Sequence, residues 1–166
     1  IYEIIKGLLK LKVIFDNGDY YSLNPSLSLG RDEKHFKGLE LVKDITLEQF
    51  YNWARSLNLV SYEKGTFHSE FSKLQWCFVA PSYISHLVKR SSTGLTPGFV
   101  LADILLNDPV NKEDVNFFIK KIEIIRSQRI PNVFPFLIVN EVSQDVLQIL
   151  KKYGVTIGFI DKLFGN

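Results

Sequence analysis

Methionine is absent from all 166 residues, the first position included, and cysteine occurs once, as Cys77. A chain without a starting methionine reads as a fragment or a trimmed product. One cysteine excludes an intrachain disulfide and a cysteine metal cage, which suits an intracellular, cytoplasmic setting. No apolar run approaches the roughly 18 residues that a membrane-spanning helix needs. Stretches such as 133–139 hold seven residues or fewer and read as buried strands. Lysines at 6, 10 and 12 interrupt the apolar start, so it is not a secretory signal. His35, His68 and His86 lie 33 and 18 residues apart, without the helical pairing of a metal motif. Glycine-rich nucleotide loops and a nucleophile elbow are also missing, and Gly94 and Gly98 are too isolated to cradle phosphate.

Charge is equally unassertive. The net value is +2, with twelve basic and ten acidic residues in 1–97 and eight of each in 98–166. Any basic footprint must therefore be local and created by folding.

What is present is ordinary globular material, 46% hydrophobic and 23% charged. Residues 12–15 and 20–23 flank Asp16-Asn17-Gly18-Asp19, and an Asn-Gly turn predicts a hairpin. Residues 24–37 read as a polar loop with Pro25 and Gly30, and 38–45 as a short strand. A helix is expected over 46–58. Thr46 would cap it, Gln49 would complete a capping box, and Leu47, Phe50, Tyr51, Ala54 and Leu57 would form its apolar face. Trp53 beside that stripe reads as packing. Residues 59–71 give no clear pattern beyond a polar turn at 63–65. Residues 74–84 read as a strand, 86–97 as a basic loop of small residues, and 98–106 as a second strand paired with the first.

The remainder alternates helix and strand. Residues 111–129 form a helix capped by Asn111, with Val115, Phe118, Ile119, Ile122 and Ile125 on one face. Arg126 and Arg129 near its end complement the helix dipole. Pro131 and Pro135 flank the approach to a strand apolar on both faces, which belongs inside a helix-covered sheet. Ser143 caps a helix that Gly154 ends, and residues 155–160 close the sheet. The fold class is thus α/β, a mixed central sheet flanked by helices. Residues 46–166 form that domain and residues 1–45 a β-rich N-terminal appendage.

The order and spacing of 98–106 (GFVLADILL), 111–129 and FLIVNEVSQDVLQILKKYGVTIGFI resemble the C-terminal half of restriction-endonuclease-like nucleases. In that superfamily two neighbouring strands carry an acid and then an acid-X-lysine triplet. The carboxylates hold Mg²⁺ and the lysine helps to orient or activate water. The resemblance implies Asp103 at the triplet carboxylate, as both catalytic and metal-binding residue. Leu105 stands where the lysine belongs, and residues 76–81 (WCFVAP) offer no acid. Glu70 or Glu63 would have to replace the missing carboxylate, and Lys73 or Lys121 the missing lysine. His68 beside Glu70 is a further acid–base pair, while Cys77 amid Trp76 and Phe78 reads as an inert buried thiol.

Lys89, Arg90, Ser91, Ser92 and Thr93 compose the best nucleic-acid loop, since cations and hydroxyls contact phosphates irrespective of sequence. Three functions fit. The first is a degenerate nuclease-fold module that binds nucleic acid or a protein partner without robust cleavage. The second is an Mg²⁺-dependent nuclease with relocated residues, and the third a structural protein that assembles with itself. None involves a membrane.

Overall fold

The computed structural model describes residues 2–16, 18, 20–23, 33–92, 94–106, 109–128 and 132–164. They fall into two compact units, Ile1–Leu39 and Glu40–Asn166.

The first unit opens with a helix, α1 (Tyr2–Lys10), which the sequence reading of a purely β-rich lead-in lacks. Its Ile5, Leu8 and Leu9 are half-buried, whereas Lys6 and Lys10 stay exposed. The expected hairpin follows, as β1 (Ile14–Asp16) and β2 (Tyr21–Leu23), paired Ile14 to Leu23 and Asp16 to Tyr21. Gly18 supplies a positive φ of 89° in its turn, and Asn17 and Asp19 lie outside the described residues. So do 24–32, including Pro25 and Gly30.

The long helix α2 (Glu33–Ser56) corrects three expectations. Residues 33–37 are helical and not loop, residues 38–45 are helical and not a strand, and Thr46 lies inside the helix instead of capping it. Its hydroxyl donates to the Val42 carbonyl at 2.7 Å, the back-bond by which threonine is accommodated within a helix. A short apolar run such as Leu39–Leu41–Val42 does not discriminate strand from helix by itself.

In the second unit α2 is followed by β3 (Thr66–Phe71), β4 (Leu74–Ser82), β5 (Lys89–Ser91), β6 (Gly94–Thr96) and β7 (Gly98–Leu105). Then come α3 (Lys112–Ser127), β8 (Val133–Val139), α4 (Gln144–Lys152), β9 (Thr156–Phe159) and α5 (Ile160–Leu163). Five strands form one mixed sheet in the order β3-β4-β7-β8-β9, antiparallel up to β7 and parallel beyond it. β3 and β4 are joined through Ser72 and Lys73, both at positive φ (56° and 63°), as a tight two-residue hairpin turn requires. The stretch 86–97, read as a loop, instead carries β5 and β6 as a separate two-stranded ribbon. β7 and β8 run parallel because α3 carries the chain back across the sheet.

Each sheet face has its own core. On one side Val115, Phe118, Ile122 and Ile125 of α3, with Val146 and Leu150 of α4, cover Trp76, Val79, Leu101, Leu137 and Val139. On the other, Leu47, Phe50 and Ala54 of α2 cover Phe78, Ala80, Val100, Ala102, Phe136 and Ile138. Trp53 packs as expected, its ring 5.7 Å from Phe50 and 5.9 Å from Phe136. Asn111 caps α3 in a reciprocal capping box with Asp114, and Ser143 caps α4. Gly154 follows α4 at φ 57°. Arg129 and Pro131 are outside the described residues.

Ile122, at 2% exposure, has no way to leave the α3-side core. Ile122→Ala should lower stability by about 2–5 kcal/mol in chemical denaturation. A loss of only a few tenths would show that α3 packs by another face.

Candidate functional site

β7 alternates regularly. Phe99, Leu101 and Leu105 point towards α3, while Val100, Ala102 and Ile104 point towards α2. Asp103 therefore shares the α3-facing row, and it is only 8% exposed. A carboxylate at that depth needs a counter-charge or enough donors to replace water. Lys121 supplies the charge, its Nζ 2.5 Å from Asp103 Oδ2, and is itself 5% exposed. The ammonium sits between two aromatic faces, 4.6 Å from the Trp76 ring centre and 5.0 Å from that of Phe117. Ring faces carry negative charge density, so they help to hold a cation that has lost its water.

The second carboxylate oxygen, Oδ1, accepts the Cys77 backbone N–H at 3.0 Å. This bond marks a change in the sheet. The regular register between β4 and β7 runs from Ser82–Gly98 to Phe78–Ala102, and the next opposing pair is Cys77 with Asp103. There the side chain of Asp103 takes over the N–H of β4. Burial, then the Asp103 charge, push the pKa of the Cys77 thiol upward.

β4 also changes face at this point. Trp76 and Val79 both belong to the α3-side core although three positions separate them, while Phe78 and Ala80 belong to the α2-side core. Strict alternation forbids that pattern, so the alternation slips by one at Cys77. The partner strand slips at the same level. Phe67 packs on Tyr51 and Phe78 on the α2 side, Phe71 packs on Phe99 on the other, and His68 between them has a positive φ of 46°. His68 Nε2 lies 2.8 Å from Asp44 Oδ1 of α2, a pair more than half exposed on each side. Its partner is therefore Asp44 and not Glu70, and a pair so exposed contributes little to stability.

A shallow cleft of about 240 Å³ opens over the ion pair, lined by His68, Gln75, Trp76, Cys77, Asp103, Phe117 and Lys121. Of the residues singled out in the sequence, His68, Cys77, Asp103 and Lys121 line it, with Asp103 and Lys121 in direct contact. Glu70 and Lys73 do not line it. Glu70 is exposed on β3, paired with Gln75, and β3 is two strands from β7, roughly 10 Å across the sheet. Lys73 is exposed in the β3–β4 turn, four residues along β4 from Cys77, or roughly 13 Å. Glu63 is exposed between α2 and β3.

Mg²⁺ binds oxygen ligands at about 2.0–2.1 Å, usually through one or two carboxylates together with water or phosphate. Here one carboxylate is present and both its oxygens are engaged. Among the described residues no three of His, Cys, Asp and Glu gather closely enough to hold a metal. The donor set does not fit the ion that the family resemblance implies.

Lys89, Arg90, Ser91 and Ser92 are all exposed, and Thr93 lies outside the described residues. Their ribbon departs from the Ser82 and Gly98 ends of β4 and β7, whereas Asp103 lies five residues along β7, roughly 17 Å away. Ribbon and ion pair are separate features. Just before the ribbon Leu87 is buried, and just after it a Cβ on Gly98 would lie 2.4 Å from the Asn132 carbonyl oxygen and 2.6 Å from that of Leu87. Only glycine passes there.

In sequence, no family model and no curated protein matches this chain. Among solved structures it is similar to EndoMS in its apo form (TM-score 0.40, 14% identity, 69% of this chain and 45% of that one). A repair endonuclease from Pyrococcus abyssi gives 0.44 at 9% identity, over 81% and 49%. A Vibrio cholerae protein gives 0.46 at 8% identity, over 98% and 40%. The chain spans less than half the length of each.

Removing one partner of the ion pair strands the other. Lys121→Met should cost about 3–5 kcal/mol, and adding Asp103→Asn should recover part of that loss. Urea denaturation of the two singles and the double measures it; strictly additive losses would mean the pair is not coupled.

Cys77 gives a second test. A thiol whose pKa is raised by folding stabilises the fold below its ordinary pKa and loses that contribution as pH rises through the folded value. Alkylation by iodoacetamide should therefore stay slow at neutral pH and accelerate only well into the alkaline range. Labelling at the rate of a free thiol near neutrality would contradict this.

Proposed function

We propose that this chain is a nuclease-fold module whose metal-binding corner has become a structural ion pair, and that it holds nucleic acid by the backbone without robust cleavage. The order of α2, three antiparallel strands β3, β4 and β7, then α3, β8, α4 and β9 supports the nuclease-fold reading. It extends the order of elements on which the family resemblance rests. The observation that carries the loss of cleavage is the commitment of Asp103: one oxygen to Lys121, the other to the Cys77 N–H, in a nearly buried position. A metal would have to compete with the ammonium for that carboxylate, and among the described residues no group of acids gathers there to help hold it.

Nucleic-acid binding is supported by a local charge asymmetry that the overall composition conceals. No acidic residue occurs between Glu70 and Asp103, a stretch that includes Lys73, Lys89 and Arg90. Folding gathers this acid-free stretch into the β4–β7 hairpin and its exposed ribbon. Cations without nearby carboxylates favour a polyanion.

One specific observation favours a second reading, an active nuclease with a relocated lysine. Lys121 comes from the helix after the triplet strand and still presents its ammonium to the triplet carboxylate. A single assay separates the two. The chain incubated with DNA or RNA and Mg²⁺ or Mn²⁺ should show no cleavage above background. Cleavage that Asp103→Asn abolishes would overturn the non-cutting reading and establish the relocated site.

A further inference from the structure

We infer that the β5–β6 ribbon is a reading element for double-stranded DNA in B form, inserted edge-on into the major groove. This rests on the nucleic-acid reading above and assigns it a substrate class and a geometry. Ribbon pairing sets Lys89 against Thr96, Arg90 against Leu95 and Ser91 against Gly94. Directly opposed residues in an antiparallel pair share a face, and successive ones alternate. One face of the ribbon therefore carries Arg90 with Leu95, and the other Lys89 and Ser91 with Thr96. All six residues are exposed, so both faces are open to solvent.

The size fits one groove. Three paired residues span roughly 10 Å and two strands lie about 4.8 Å apart. The major groove of B-DNA is about 12 Å wide and 8.5 Å deep and admits a two-stranded ribbon. The deep, narrow major groove of A-form RNA does not. The chemistry fits as well. An arginine can bond both O6 and N7 of guanine, and an apolar side chain can pack on the thymine methyl. Leu95 is 62% exposed opposite Arg90, an apolar group that burial against a base edge would cover. Lys89 on the opposite face is suited to phosphates, which position a protein without reading sequence.

The test is fluorescence anisotropy of the whole chain with labelled duplexes of one mixed sequence, as DNA, as RNA, and as DNA with guanine replaced by 7-deazaguanine. The last removes a major-groove acceptor and leaves phosphates and minor groove unchanged. DNA duplex should bind tightest, and the 7-deazaguanine duplex should bind about 5-fold weaker or more. Arg90→Ala should weaken DNA binding by about 5- to 150-fold and erase the 7-deazaguanine effect. Lys89→Ala should weaken every duplex alike and shallow the salt slope by about 0.9. Circular dichroism of both variants should match the unmodified chain, because neither side chain is buried.

Equal affinity for DNA and RNA duplexes, or a 7-deazaguanine effect that survives Arg90→Ala, would overturn the groove-reading inference while leaving backbone binding intact. Preferential binding of single strands would do the same. Absence of binding to any nucleic acid at low salt would overturn both, and would move the ribbon's exposed Leu95 to a protein interface.

Discussion

Everything distinctive in this structure depends on the requirement that a carboxylate removed from water keep a positive partner. Asp103 occupies the α3-facing row of an otherwise apolar strand, and that placement draws in Lys121, the Cys77 amide and the aromatic walls of Trp76 and Phe117. Lys121 lies three residues after Phe118 and four before Ile125, within the apolar stripe of α3. Without Asp103 that lysine would be an uncompensated cation facing a hydrophobic core. The two are only tolerable together. This mutual dependence also sets the corner against a metal: the ammonium that neutralises the carboxylate competes with any other cation for the same charge.

The slip of β4 follows from the same constraint. If Cys77 and Asp103 continued the regular pairing, the Cys77 N–H would face a backbone partner and the carboxylate would lack its second donor. Moving the alternation by one lets Trp76 join the α3-side core beside the lysine while Phe78 keeps its place on the α2 side. His68 pairs this adjustment on β3 by adopting a left-handed conformation, which costs a non-glycine residue on the order of 1–2 kcal/mol. The aromatic cluster of Phe50, Tyr51, Phe67, Phe78 and Phe136 then packs the α2 side around the displaced strands.

Much of the sheet was legible in the sequence because its signals are local. Apolar runs bounded by Asn111, Ser143 and Gly154 mark α3, β8, α4 and β9 by caps and periodicity alone. The start of α2 was not legible, since Thr46 has the side chain of a cap and gives no sign that its hydroxyl bonds backwards to Val42. The row of Asp103 could be read from strand alternation, and Lys121 was nameable as a candidate partner. That it is the partner, in preference to Lys73, depends on how α3 crosses β7, which no short-range pattern encodes. A lysine inside an apolar helical stripe was the available signal. Asp44, Trp76 and Phe117 had none, because their roles arise between elements distant in sequence.

The slip at His68 has a consequence at the margin of the molecule as well as at its centre. Among the described residues β3 is one of the sheet's two edge strands, and an edge strand offers amides and carbonyls to any extended chain that aligns with it. A flat edge would be a template for intermolecular β-addition. The left-handed residue in the middle of β3 interrupts that edge, leaving runs too short and too misaligned for a foreign strand to zip along. The same kink that reconciles two cores thereby makes this edge, one of the sheet's two, a poorer template for a foreign strand.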